Sequence, residues 1–322
     1  MAAKIVLCWL AFALFSAGEP LAAQTNLTVA PDSSGQFKTV QEAIMAVPSG
    51  SRDNPVIIHI RPGTYRELIY IQREKGFFKL VGENPTNTIL TFNLYAGITN
   101  AEGKPIGTFK TPSTTIDADD FTAENLTFEN SAGPVGQALT LRVDGDRAAF
   151  RHCRFLGWQD TILLNRGRQY FENCYIAGQT DFIFGAATAW FEKCRIHCLR
   201  GGYITAASTP EDQPFGFVFS NCKITGEPGV KTFLGRPWRI HAGTIFLNTE
   251  MSDVVRPEGW NDWNKPEAHS TARYAEFSNT GVGASGTNRP GWIKPLTAAE
   301  AQKITIGKVL GGPDGWNPEA NE

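Results

Sequence analysis

Asp160 and Asp181 occupy the same point of a repeated frame. The run F-R-H-C-R-F-L-G-W-Q-D (150–160) and the run F-E-N-C-Y-I-A-G-Q-T-D (171–181) share Phe, two residues, Cys, one residue, an apolar residue, one residue, Gly, two residues, Asp. Phe150 matches Phe171, Cys153 Cys174, Phe155 Ile176, Gly157 Gly178 and Asp160 Asp181, each at an offset of 21 residues. If one repeat is one coil of a stacked solenoid, the two carboxyl groups lie on neighbouring strands, roughly 4.8 Å apart. Two acids that close do not both ionise freely; repulsion and partial desolvation split their pKa values into one carboxylate and one carboxylic acid. That pair is what a nucleophile or base beside a general acid requires. Stacked Asp and Asn side chains are also ordinary structural ladders in solenoids, so the pairing alone leaves both readings open.

Three neighbours add weight to the chemical reading. Gln159 precedes Asp160, and Gln137 lies upstream in G-P-V-G-Q-A-L. A primary amide is a neutral donor that can stabilise an oxyanion without quenching an acid. The segment L-G-R-P-W (234–238) supplies Arg236, whose fork suits a carboxylate, and Trp238, whose flat face suits a sugar ring. Each has a plain alternative as a turn residue, a surface amide or a core aromatic.

The elements that must position these groups are short strands. V-I-I-H-I (56–60), F-F-K-L-V (77–81) and T-I-L-T-F (88–92) are β-branched and aromatic runs bounded by Gly, Pro or Asn. F-T-A-E-N-L-T-F-E-N (121–130), A-F-R-H-C-R-F (149–155), Y-F-E-N-C-Y-I (170–176), W-F-E-K-C-R-I (190–196) and F-V-F-S-N-C-K-I (217–224) are versions of one segment. Their cysteines are spaced by 21, 20 and 28 residues. A period of that size, built of strands, predicts an all-β chain folded as a right-handed parallel β-helix with long loops erupting on one side. A leucine-rich repeat has a similar period, but its L-x-x-L-x-L pattern is missing. F-K-T-V-Q-E-A-I-M-A-V (37–47) has helical spacing ahead of Pro48 and predicts a short N-terminal helix capping the stack. After about Gly243 the repetition fades into Trp, Pro, Gly and Asn, which predicts packed loops. A helix is expected over 297–303, opened by a capping box of Thr297 and Glu300. No linker interrupts 24–322, so one catalytic domain is expected there.

The chain has 322 residues, 42% hydrophobic and only 19% charged, with a net charge of −2. That balance, without a Lys/Arg run, gives no support for a nucleic-acid partner. Lys4 followed by the apolar run Ile5–Phe15 and small residues has the shape of a secretory signal over 1–23. Cleavage fits near Ala23, with Ser16-Ala17-Gly18 as a competing site and a buried N-terminal helix as the other reading. No second apolar stretch approaches a membrane span, so the mature chain is expected to be soluble, secreted and monomeric. Cys8 falls in the signal, leaving Cys153, Cys174, Cys194, Cys198 and Cys222. Four of them share one repeat position and should stack inward as packed thiols; Cys198 is the best candidate for a disulfide. Neither C-x-x-C nor H-E-x-x-H occurs, so no metal site is expected. Asn26-Leu27-Thr28 is a possible glycosylation sequon; Asn125-Leu126-Thr127 falls inside a strand-like repeat and reads as structural. His152 and His197 read as repeat-face residues.

Taken together, these segments resemble the pectin methylesterases, carbohydrate esterases that demethylate homogalacturonan. The match runs through G-T-Y-R-E (63–67), Q-A-L-T-L-R-V (137–143), G-W-Q-D-T-I (157–162), R-Q-Y-F-E-N-C-Y-I (168–176), D-F-I-F-G (181–185), I-T-A (204–206) and L-G-R-P-W (234–238). It continues through G-W-N-D-W (259–263) and Y-A-E-F-S-N-T-G-V-G-A (274–284), so it covers nearly the whole mature chain. Ile162 stands where Leu is usual, Trp158 where Tyr is common, and Gln179-Thr180 replaces the more frequent Thr-Val. None of these removes a functional group. No counterpart of the long inhibitor-like pro-region of many plant members is expected. The resemblance implies Asp181 as nucleophile and Asp160 as general acid, then base. It also implies Gln137 and Gln159 as the oxyanion hole, Arg236 as the group that fixes Asp181, and Phe182 and Trp238 flanking the sugar-binding cleft. The implied substrate is methyl-esterified homogalacturonan, with no cofactor. A β-helix glycosidase, a β-helix lyase and an inactive pectin-binding homologue are the competing readings. No G-x-S-x-G elbow is present to support a serine route.

Overall fold

The computed structural model describes residues 25–286 and 288–321; the signal expected over 1–23 and Cys8 lie outside them. The chain winds as a parallel β-helix. Its first face is an 11-stranded parallel sheet among the described residues, running from Asn26–Val29 through Ala148–Arg151, Arg168–Glu172 and Thr188–Glu192 to Lys294–Pro295. The second face passes through Thr88–Phe92, Thr127–Asn130 and Arg154–Leu156, and the third through Thr114–Ile116, Leu141–Val143 and Ile162–Leu164. The two meet in the 11-residue strand Tyr175–Gly185, which pairs with Arg154–Leu156 by its first half and with Ile162–Leu164 by its second. The 13-residue strand Arg195–Ala207 follows it round the same corner in the next coil.

The 21-residue frame is the rung register itself. Phe150 pairs with Phe171, Phe155 with Ile176 and Ile162 with Ile183. Inside, Phe150, Phe171, Phe191, Phe219 and Phe246 form a continuous stack, with successive ring centroids 4.7, 4.7, 4.4 and 4.6 Å apart. These distances are the interstrand spacing, so each ring occupies the favourable stacked contact that the backbone ladder imposes. All these rings are buried, and Phe128 and Phe155, stacked on each other, meet Phe150 edge-on.

The corner between the first and second faces repeats one backbone feature. Asn125, His152, Asn173, Lys193, Asn221 and Asn248 all have φ between 48° and 55°. Asparagine tolerates that left-handed region best among residues with a β-carbon, which explains its recurrence there; it places His152 in an exposed turn. Cys153, Cys174, Cys194 and Cys222 come next in the chain, turn inward and donate their thiols to carbonyl oxygens of the neighbouring coils. Cys198 is buried as well, and it is unpaired: all five described cysteines are free thiols. The disulfide expected at Cys198 is absent because its strand position points it into the core, where burial pushes the thiol up to about 12.

The ends keep the expected helices with shorter bounds and add elements that were not expected. The N-terminal helix is shorter than 37–47, spanning Val40–Ala46, because Thr39 caps it through Glu42 N. Near the C-terminus the helix Ala298–Ala301, shorter than 297–303, carries the expected reciprocal bonds of Thr297 and Glu300, and a second helix, Ile306–Leu310, follows it. Beyond Gly243 the β-helix does not stop. Gly243–Leu247 pairs with Arg273–Phe277 in register, with Trp260 stacked on Tyr274 at 4.3 Å. Residue types change there while the rungs persist.

Candidate active site

Asp160 and Asp181 lie where the second face turns into the third. Both have positive φ, 62° and 50°, a conformation that costs an aspartate of order 1–3 kcal/mol and is concentrated at functional sites. It has a local consequence. The residue after each Asp turns back into the interior, Thr161 in one coil and Phe182 in the next, and both are fully buried. The glycine three residues before each Asp makes room for this: a β-carbon on Gly178 would lie 2.3 Å from Cβ of Phe182. Phe182, expected to flank the cleft, is therefore a core residue that supports Asp181 from beneath, and it presents no surface to a ligand. The backbone ties the pair together, with Asp160 N donating to Thr180 O at 3.0 Å.

The two carboxyl groups are held differently. Arg236 Nε donates to Asp181 Oδ1 at 2.9 Å and Nη2 to Oδ2 at 2.6 Å, a bidentate clamp. The guanidinium lies between two rings, with its carbon 3.8 Å from the Tyr203 centroid and 3.6 Å from that of Trp263. Asp160 makes no side-chain hydrogen bond to any described residue. Its carboxyl is desolvated and faces the charge of Asp181, which together push its pKa up to about 8 against a smaller pull from Arg236. Asp181 is also raised, by burial, but the two Arg236 bonds and the charges of Arg236 and Lys265 oppose it. The proton therefore resides on Asp160 and the charge on Asp181.

The linkage has a defined sign. Because the folded-state pKa of Asp160 is raised, its stabilisation is complete below the unfolded value near 3.8 and is lost as pH climbs to about 8. Asp160→Asn mimics the protonated form. It is expected to melt with the wild type at pH 4 and at least ~3 °C above it at pH 8.5, as read by thermal denaturation. A gap that does not grow with pH would refute the assignment of the proton.

Gln137 and Gln159 are paired across adjacent coils by an isolated parallel bridge. Both are half-buried, and neither side-chain amide is engaged by a described residue, so two neutral donors stand unspent beside the acids. Trp238 packs over Phe184 at 5.8 Å, on the outward cluster of Leu139, Leu163, Phe184 and Ala206. Lys265 Nζ donates to the carbonyls of Pro237 and Trp238 at 2.8 and 2.9 Å, pinning the segment that carries Arg236.

Tyr203, Trp263 and Lys265 were not among the expected site residues. Tyr203 reaches the site through a bulge: Gly178 pairs with Cys198 but Thr180 with Tyr203, so three extra residues loop out. Gly202 permits the approach, since a β-carbon there would lie 2.3 Å from Gln179 O. The paired glycines ahead of Tyr203 were the available signal, and G-W-N-D-W was one for Trp263.

Paired acids of split pKa, neutral donors and aromatic faces on a parallel β-helix define a carbohydrate-active hydrolase. The comparisons narrow that class. A family model described as Pectinesterase matches residues 26–313, and Pectinesterase 31 of Arabidopsis thaliana is 40% identical over 288 residues, covering 87% of this chain and 90% of that protein. The chain belongs to the pectinesterase family. It spans about half the length of several other plant relatives, 52% in the case of Pectinesterase 4 of Arabidopsis thaliana at 37% identity. Among solved structures, pectin methylesterase from carrot superposes with a TM-score of 0.85 at 32% identity, covering 94% of this chain and 98% of that one. A pectin methylesterase in complex with a hexasaccharide gives 0.79 at 31%, covering 92% and 99%.

Proposed function

We propose that the chain hydrolyses the C6 methyl esters of homogalacturonan with Asp181 as nucleophile and Asp160 as general acid, then base. The observation that carries this is the asymmetry of the pair: one carboxylate clamped by Arg236, the other unbonded with its pKa near 8. Asp181 attacks the ester carbonyl carbon, and the oxyanion is met by the side-chain amides of Gln137 and Gln159. The C–O bond to methoxide breaks, and the proton of Asp160 passes to it, so methanol leaves and Asp181 holds the galacturonyl group as an anhydride. Asp160, now ionised, takes a proton from water; the hydroxide adds to the same carbon and expels the Asp181 carboxylate. The product acid then ionises to solvent. Trp238 offers a stacking face to a sugar ring. No step calls on a cofactor.

Methanol release from methylated pectin in the presence of a chelator is the direct test. Gln159→Ala is expected to keep the fold and lower kcat by about 10²-fold. Chain shortening or an unsaturated product without methanol would overturn the reading in favour of a glycosidase or lyase. The nucleophile, acid, donors and clamp all come from one chain, which supports action as a monomer. The signal-like start and the extracellular nature of pectin support export from the cell, and no described helix is long and apolar enough to cross a membrane.

A further inference from the structure

On the outer side of the second face, one ladder position reads Thr127, Arg154, Tyr175, Arg195, Lys223 and Glu250 in successive coils. Arg154 and Arg195 stand on either side of Tyr175, their guanidinium carbons 5.5 and 5.8 Å from its ring centroid. Among the described residues neither side chain has an ion pair or hydrogen bond. Several other arginines are matched to acids, Arg142 to Asp144, Arg147 to Asp120, Arg168 to Asp146 and Arg289 to Glu276, and Arg66, Arg200 and Arg256 each lie singly over a ring; only at Tyr175, among the described residues, do two arginines share one ring in a ladder. Here a ring holds two cations in place without neutralising them. Lys193, exposed in the adjoining corner turn, adds a third positive charge, and the nearby acids are occupied: Glu250 with Lys223, Glu227 with His197, Glu129 with Thr91.

We propose that this ladder is a second pectin-binding site, which holds de-esterified stretches of homogalacturonan outside the catalytic site. The inference rests on pectin being the substrate. Every turnover converts a neutral ester into a carboxylate, so the product is a hydroxyl-rich polyanion. A guanidinium fork binds a carboxylate bidentately and a vicinal hydroxyl as well. Arg154 and Arg195 are two rungs apart, roughly 10 Å along the helix axis, so a chain lying parallel to that axis meets both. In a chain of net charge −2 the stripe is a local exception, and charge complementarity selects the anionic product over the neutral substrate. The strands Tyr175–Gly185 and Arg195–Ala207 carry both this ladder and the catalytic corner. Asp181 is six residues from Tyr175, at most about 20 Å away. A stretch already demethylated can be retained here while its neighbours are presented to Asp181, which raises the effective concentration of the remaining esters.

The test is retention of the intact enzyme on immobilised polygalacturonate, compared for wild type, Arg154→Glu/Arg195→Glu and Arg154→Gln/Arg195→Gln. Methanol release from a short methyl-esterified oligogalacturonide serves as the control. Wild type is expected to be retained and eluted by salt. Both variants are expected to bind about tenfold more weakly or worse with the short-substrate rate unchanged. Retention of the glutamine variant equal to wild type overturns the proposal, whether or not the glutamate variant folds. Wild-type retention no stronger on polygalacturonate than on a polynucleotide also overturns it, in favour of a general polyanion surface. Failure of the pectinesterase reading would appear separately, as absent methanol in the control.

Discussion

Asp181→Asn is expected to lower methanol release by about 10⁴-fold or more with little change in thermal stability. The amide has no lone pair of comparable nucleophilicity, so the acyl-enzyme cannot form, and the loss falls on kcat rather than KM. The fold should survive because the supporting contacts belong to other residues. Phe182 remains seated under Gly178, the Tyr203 and Trp263 rings still enclose Arg236, and the asparagine oxygen can accept one of the two guanidinium bonds. Kinetics on methylated pectin, melting curves and denaturing mass spectrometry of the quenched reaction separate these claims. Wild type should show a galacturonyl adduct during turnover and the variant none. A variant that retains more than about 1% of wild-type kcat would remove Asp181 from the role of nucleophile. A collapse of the melting temperature would show that its charge matters first to the fold.

The coil register was legible in the sequence because one physical requirement wrote it many times. Stacked Phe, inward Cys and a left-handed corner residue must recur every coil, so Phe150, Phe171 and Phe191 announce the period. Asp160 and Asp181 were found by the same frame. What the frame does not contain was missed. Tyr203 enters through a three-residue bulge, and Trp263 and Lys265 arrive from a segment with no repeat at all. Phe182 shows the opposite failure. The resemblance implies a cleft residue there, whereas the left-handed backbone at Asp181 turns the next side chain into the interior, which no residue-type pattern announces. The strands beyond Gly243 were hidden because Trp260 and Tyr274 fill the core that phenylalanines fill earlier, so the type pattern broke while the geometry continued.

Arg236→Gln is expected to lower kcat/KM by about 10²–10³-fold and to move the whole pH–rate profile to higher pH. Two carboxyl groups in adjacent coils would share one proton without preference if their surroundings were equal. In the wild type they are not equal: Arg236 bonds only Asp181, while its charge lowers both groups. Acylation needs Asp181 ionised and Asp160 protonated, so its rate falls as pH drops through the pKa of Asp181 and as pH rises through about 8, where Asp160 loses its proton. Removing the cation leaves burial of Asp181 opposed only by the charge of Lys265 and takes the Arg236 pull off Asp160. Both limbs therefore shift upward, and the nucleophile becomes scarce at neutral pH. Arg236→Lys separates charge from shape. The ammonium restores most of the pH profile but has no fork to clamp two oxygens or planar face to lie between Tyr203 and Trp263, so kcat should stay low while the limbs return. Profiles of kcat/KM for the three proteins decide it. A glutamine variant with unshifted limbs would mean that Arg236 only orients Asp181, and that burial and the facing carboxylate alone set the order in which the two acids titrate.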